Sequence, residues 1–376
     1  MKNKVTSTNR WSLSTSGSTR ASNVGSYCLR FAICFFWLLV GRPAQAEINA
    51  GDILVVDQQG GTDNLGALIL VNPRTGHRSV LSDFGNKDQG DLGHSDLSSV
   101  AVGRGGQIYV SALFSGDPAF GGGALFEVDP DTGERKLLSN LSQRNIQGFL
   151  YYGLAVNAQG KVIANLTKLV KSTYALVQID PKTDKRALIT DLTNRAQGVT
   201  ESDRFITDLA IERLGTILIG TARGSGQPDS VIFRVDPVTG KRRLLSNFAD
   251  AKQGDDVVAD LWFSKGLAIE TSGQILAALG DAPGNLLLRI DPNTGKRAVL
   301  SDFDNPEQGN LGVSLAGVAL EKSGNIIVGA SDPSVTIFSL FRVQPKTGQR
   351  VLLSDSNNPA QGGPTLIGLT YIAVVP

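Results

Sequence analysis

The chain has very few of the residues that carry redox, thiol or imidazole chemistry. Of its 376 residues, two are cysteine, two histidine and one methionine. Both cysteines, Cys28 and Cys34, lie near the start, so the remaining chain has neither a disulfide nor a thiol nucleophile to draw on. His77 and His94 do not form a His-x-x-x-His pair, and both the Gly-x-Ser-x-Gly nucleophile elbow and the phosphate-binding P-loop are absent. These absences argue against zinc, haem and serine-hydrolase chemistry and leave carboxylates or calcium. Charge of one sign is also missing: 36 basic residues face 35 acidic ones, so nothing calls for a nucleic-acid or anionic-membrane partner. Aromatic residues make up only 6% while glycine numbers 43, a balance that suits short strands and tight turns better than large helices.

The first 46 residues read differently from the rest. Residues 1–30 hold Lys2, Lys4, Arg10, Arg20 and Arg30 with no acidic residue, followed by the apolar run Phe31–Val40 and then Ala44-Gln45-Ala46. A basic region, about ten apolar residues and small residues at −3 and −1 describe a secretory signal peptide cleaved near Ala46. The run is too short for a bilayer core, which needs roughly 20 residues. The expectation is a secreted or periplasmic protein with no stable membrane span after cleavage, and with residues 47–376 as a single domain.

What the sequence does have is repetition. LVNPRTGHRSVLSD (70–83), EVDPDTGERKLLSN (127–140), QIDPKTDKRALITD (178–191), RVDPVTGKRRLLSN (234–247), RIDPNTGKRAVLSD (289–302) and RVQPKTGQRVLLSD (342–355) are six copies of one phrase. Their prolines are 57, 51, 56, 55 and 53 residues apart, a period that fits four-stranded propeller blades. In each copy a strand reaches Asp-Pro or its equivalent, proline presets the turn and a glycine returns the chain, giving a hairpin. Asp184 replaces that glycine in the third copy, and Asp tolerates the left-handed conformation better than most residues. Between these hairpins lie others such as VAVGRGGQIYVSA (100–112) and LAIETSGQILAAL (267–279). With the strands named A to D in chain order, A–B and C–D are tight turns and B–C and D–A are longer. The chain opens on a B-type segment, GDILVVD (51–57), and ends on an A-type one, LIGLTYIAVV (366–375). Pairing them predicts an all-β, six-bladed β-propeller with four antiparallel strands per blade, closed by its termini, and a monomer.

Residues present in every copy read as fasteners. Arg78, Arg135, Arg186, Arg242, Arg297 and Arg350 follow the turn and are expected to face the Asp or Asn before proline. Gln-Gly pairs such as Gln89-Gly90 and Gln361-Gly362 occupy each D–A connection, where Gln can satisfy loop backbone. Residues that break the repeat are the better site candidates. Asp57 ends the first B strand where other blades have Ala112, Leu166, Thr221, Leu279 or Ala330, and Asp208 stands where they have Ser99, Gly153, Gly266, Gly317 or Tyr371. His94, Asp96, Asp260 and Trp262 fall in or beside long D–A connections. With the innermost strands lining a channel, these carboxylates could present oxygens to Ca²⁺. Solvated loops are also simply rich in Asp and Asn.

The A–B phrases, as in GLAIETSGQILAAL and AVGRGGQIYVSA, resemble the NHL-type repeat and its six-bladed TolB-like and gluconolactonase-like relatives over nearly all of 51–376. The gluconolactonase-like resemblance implies a Ca²⁺-dependent lactone hydrolase, but the early Glu-Gly-Pro phrase of that family is absent and no catalytic residue carries over. Two expectations therefore stand. One is an exported binding or scaffold propeller whose long D–A and B–C loops recognise a protein, saccharide or small molecule. The other is a Ca²⁺-dependent lactonase or esterase.

Overall fold

The computed structural model describes residues 48–90, 96–113, 122–142, 146–168, 173–198, 204–223, 230–254, 263–280, 284–332 and 337–376. The expected signal peptide, His94, Asp260 and Trp262 lie outside these.

Each repeat folds as one sheet. β1 (Ile53–Asp57), β2 (Ala67–Val71) and β3 (Arg78–Asp83) form the first blade with the C-terminal β24 (Leu369–Val374). The second holds β4 (Asp96–Val102), β5 (Ile108–Leu113), β6 (Ala124–Val128) and β7 (Arg135–Asn140), and the third β8 (Gly148–Val156), β9 (Val162–Lys168), β10 (Tyr174–Ile179) and β11 (Arg186–Asp191). The fourth is β12 (Arg204–Ile211), β13 (Ile217–Arg223), β14 (Val231–Val235) and β15 (Arg242–Asn247), the fifth β16 (Phe263–Ile269), β17 (Ile275–Leu279), β18 (Leu286–Ile290) and β19 (Arg297–Asp302). The sixth is β20 (Val313–Leu320), β21 (Ile326–Ser331), β22 (Phe338–Val343) and β23 (Arg350–Ser354). The protein is a six-bladed β-propeller with strand order A-B-C-D in every blade. Antiparallel order puts the D–A and B–C connections at one end of the strands and the A–B and C–D turns at the other.

Side-chain alternation builds the ring. Leu54 and Val56 of β1 pack with Val110, Phe126 and Val128 of the second blade, while Ile53 and Val55 pack with Ile327 and Leu340 of the sixth. Each sheet is therefore apolar on both faces, and the core is distributed in the gaps between neighbouring blades. The ends close as the sequence implied: β1 pairs antiparallel with β24, Leu54 opposite Ala373 and Val55 opposite Ile372, and Gly51 N–H donates to the Val375 carbonyl at 2.8 Å.

The C–D turns explain their own sequence. In the second blade the Gly133 N–H donates to the Asp129 carbonyl, the Asp129 carboxylate accepts from the Thr132 N–H at 2.8 Å, and Gly133 has φ 67°. Asp184 takes φ 53° at the corresponding place and its carboxylate pairs with Arg186 at 2.9 Å.

The repeated arginines require a correction, because they do not face the residue before proline, whose side chain is already engaged by its own turn. They reach into the preceding blade instead. Arg135 donates to Ser82 Oγ and to the carbonyls of Asp83, Asn86 and Gly90 at 2.6–3.1 Å, with its guanidinium 4.6 Å from the Phe84 ring. Arg350 does the same to Ser301, Asp302 and Asn305, and Arg78 closes the ring onto Ser354, Asp355, Gly362 and Pro364. The Gln expectation holds: Gln89 accepts from the Asp83 N–H and donates to the Leu81 and Thr132 carbonyls, the latter in the next blade. The first part of such a D–A connection is thus sewn to the neighbouring blade.

Candidate functional site

Every innermost strand carries a register shift at one level. β8 skips between Leu150 and Leu154, β12 between Ile206 and Asp208, β16 between Phe263 and Leu267, and β24 pairs Leu369 and then Tyr371 against Asp57 and Val56. Bulges of this kind re-aim side chains. Here they bring the aligned set Ser99, Gly153, Asp208, Gly266, Gly317 and Tyr371 to the axis.

At that level the axis is filled. Tyr371, from the first blade, donates its hydroxyl to Asp208 Oδ1 at 2.5 Å, spanning to the diametrically opposite fourth blade. The backbone N–H of Leu209 donates to Oδ1 and that of Leu267, in the fifth blade, to Oδ2, both at 2.6 Å. Asp208 is completely buried, and burial pushes its pKa up to about 7 against the lowering effect of these three donors. Burial and the Asp208 charge hold the Tyr371 hydroxyl well above its ordinary range. Small residues make the approach possible: a Cβ on Gly153 (φ 94°) would stand 3.0 Å from the Leu209 nitrogen, and one on Gly317 (φ 73°) 3.0 Å from that of Ile372.

Asp57 is also buried and also occupied. It accepts from the N–H groups of Gln59, Ile367 and Gly368 at 2.9–3.0 Å, tying the approach to β24 onto the end of β1. Desolvation raises its pKa despite those bonds. N–H and O–H donors of the fold thus point at the carboxylate oxygens of Asp57 and Asp208, the two buried residues expected to offer oxygens to a cation. Among the described residues no three His, Cys, Asp or Glu side chains gather to hold a metal ion. Asn165, first residue of an Asn-x-Thr sequence, is buried with its amide donating to the Ile206 carbonyl, a setting closed to glycosylation.

Asp96 is placed differently. It is exposed at the start of β4 and acts on Tyr151 of β8. Burial, then the neighbouring Tyr152, Tyr174 and Asp96, raise the Tyr151 pKa. Tyr151 meets Tyr152 edge-on with ring centroids 5.8 Å apart, and Tyr174, opening β10, lies 6.2 Å from Phe205 of β12. All four rings are half-buried: Tyr174 and Phe205 stand at the strand ends that receive a B–C and a D–A connection, and Tyr151 and Tyr152 in the β8 bulge between Leu150 and Leu154. The sequence reading missed this aromatic group because its members are spread over three strands. The available signal was the Tyr151-Tyr152 pair inside the A-strand phrase of a chain so poor in aromatics.

No family model and no curated protein matches the sequence. Solved structures do match in shape. TolB from Acinetobacter baumannii aligns over 87% of this chain and 67% of its own at 14% identity and TM-score 0.55. The likeness is one of fold. The periplasmic gluconolactonase PpgL of Pseudomonas aeruginosa aligns over 87% of this chain and 100% of its own (12% identity, TM-score 0.52), and a chain of a nidogen/laminin complex over 86% and 98% (11%, 0.56). Such a fold carries enzymes and binding modules alike, so function has to come from the site.

Proposed function

We propose that this chain is an exported binding propeller that takes its ligand or partner on the face bearing the D–A and B–C connections, centred on the third and fourth blades. The observation that carries the reading is the half-buried group Tyr151, Tyr152, Tyr174 and Phe205 with Asp96 beside it. Aromatic rings on a rigid scaffold supply large contact area at small entropic cost, and a carboxylate at their edge orients a polar or cationic group. Support for binding over hydrolysis is that both buried carboxylates, Asp57 and Asp208, are consumed by the fold. Export rests on the basic, apolar and small-residue pattern of residues 1–46, and mature protein beginning at Glu47 by mass spectrometry would bear it out.

The test is a thermal-shift screen over saccharides, lactones and CaCl₂, since a compound that binds only the folded state stabilises it by about 2.7 kcal/mol at a hundredfold excess over Kd. Hits are expected to lose their shift in Y151A and Y174A and to keep it in T239A. A hit that requires Ca²⁺ and is turned over would replace this reading with the lactonase one.

A further inference from the structure

The six repeats serve as controls for one another, and on the turn face one blade departs from them. In the A–B turns, Leu214 stands where the other blades have Gly105, Gln159, Ser272 and Ser323. In the C–D turns, Val238 stands where they have Arg74, Asp131, Lys182, Asn293 and Lys346. Both belong to the fourth blade, emerge on the same face and are 92% exposed, far above any other large apolar side chain among the described residues. A single exposed aliphatic residue needs no explanation, but two at equivalent turns of one blade, against polar residues or glycine in the others, form a patch. Beside it, between the third and fourth blades, opens a cleft of about 310 Å³ with Leu214 and Pro237 at its edge and the buried Ile163 and Ile217 at its floor.

The cleft is basic. Arg104 and Arg213 line it, both exposed, and among the described residues neither has a carboxylate in ion-pair reach. The acidic residue of the lining, Glu212, is already neutralised by Arg234 in a fork of contacts at 2.5–3.1 Å. Two uncompensated guanidinium groups flanking exposed Leu and Val repel a second copy of the same surface and favour an acidic one.

We propose that the turn face of the fourth blade is a docking surface for an acidic, leucine-rich segment of a protein partner, separate from the aromatic site on the opposite face. Aliphatic side chains of the segment enter the cleft beside Leu214 while its carboxylates meet Arg104 and Arg213, whose planar forks suit bidentate contact.

The test uses the full mature chain and a fluorescein-labelled twelve-residue peptide of alternating Glu and Leu, followed by anisotropy. The control peptide carries Lys in place of Glu. L214S and V238N give the fourth blade the residues that the fifth already uses, so both variants are expected to fold with an unchanged thermal midpoint. The Glu peptide is expected to bind, to weaken about tenfold in the L214S/V238N double variant and in R104S/R213S, and to weaken with salt, while the Lys peptide stays unbound. Equal binding of both peptides, binding indifferent to all four substitutions, or no binding at millimolar peptide would overturn the proposal. So would a dimer in sedimentation that L214S/V238N dissolves, because the occupant would then be a second copy.

Discussion

A carboxylate wholly removed from water titrates where its neighbours put it, and for Asp208 that is near neutrality. Its pKa is raised in the folded state, so between about pH 4 and pH 7 the native protein holds a proton that the unfolded chain has released. The contribution of Asp208 to stability is therefore greatest below pH 4 and declines as pH rises towards 7, by about 2–4 kcal/mol in total. D208N is expected to remove this slope. It also turns an amide nitrogen towards one of the donors, costing about 1–3 kcal/mol. Urea midpoints of wild type and D208N at pH 5 and pH 8 check both effects: the deficit of the variant should be larger at pH 5. Equal deficits would mean that Asp208 does not titrate in this window. Part of this was legible beforehand, since aligning the repeats placed Asp208 and Tyr371 at one register position. Their contact was not, because the two residues are 163 positions apart and face each other across the ring.

At the scale of the strand and its turn, the recurrent phrase specifies both a hairpin and a joint. Hairpin chemistry is local and could be read directly: Asp-Pro, the Thr that bonds back to Asp, and the left-handed glycine. The joint could not, because an arginine at the start of a D strand gives no sign in its own repeat that its partners are carbonyls of the blade before. R135A leaves the Asp83, Asn86 and Gly90 carbonyls without their shared donor and is expected to cost about 2–4 kcal/mol in equilibrium unfolding. R135K should recover less than half, since an ammonium cannot reproduce the fork. A loss below about 0.5 kcal/mol for R135A would show the joint to be a surface ornament. D184G has two opposed effects, relief of a left-handed Asp and loss of the Arg186 ion pair, and should lie within about 1 kcal/mol of wild type.

At the scale of the molecule, blade number, strand order and closure are legible in the repeats. The repeats also point to the loop face, since antiparallel strands put both long connections at one end. The aromatic group there and the odd turns of the fourth blade emerge only when strands distant in sequence become neighbours. Everything proposed for either face depends on the ring being closed, which gives each face a fixed geometry. Closure rests on β24, which covers the edge of β1, receives the Asp57 bonds and carries Tyr371 to the axis. The most direct measurement is urea unfolding of residues 47–376 with and without residues 366–376, followed by both tryptophan fluorescence and far-ultraviolet circular dichroism. Closure by the termini requires the full chain to unfold in one coincident transition, and the truncated chain to aggregate or to melt at a far lower midpoint with the two probes apart. A truncated chain with the same midpoint and slope as the full one would contradict it.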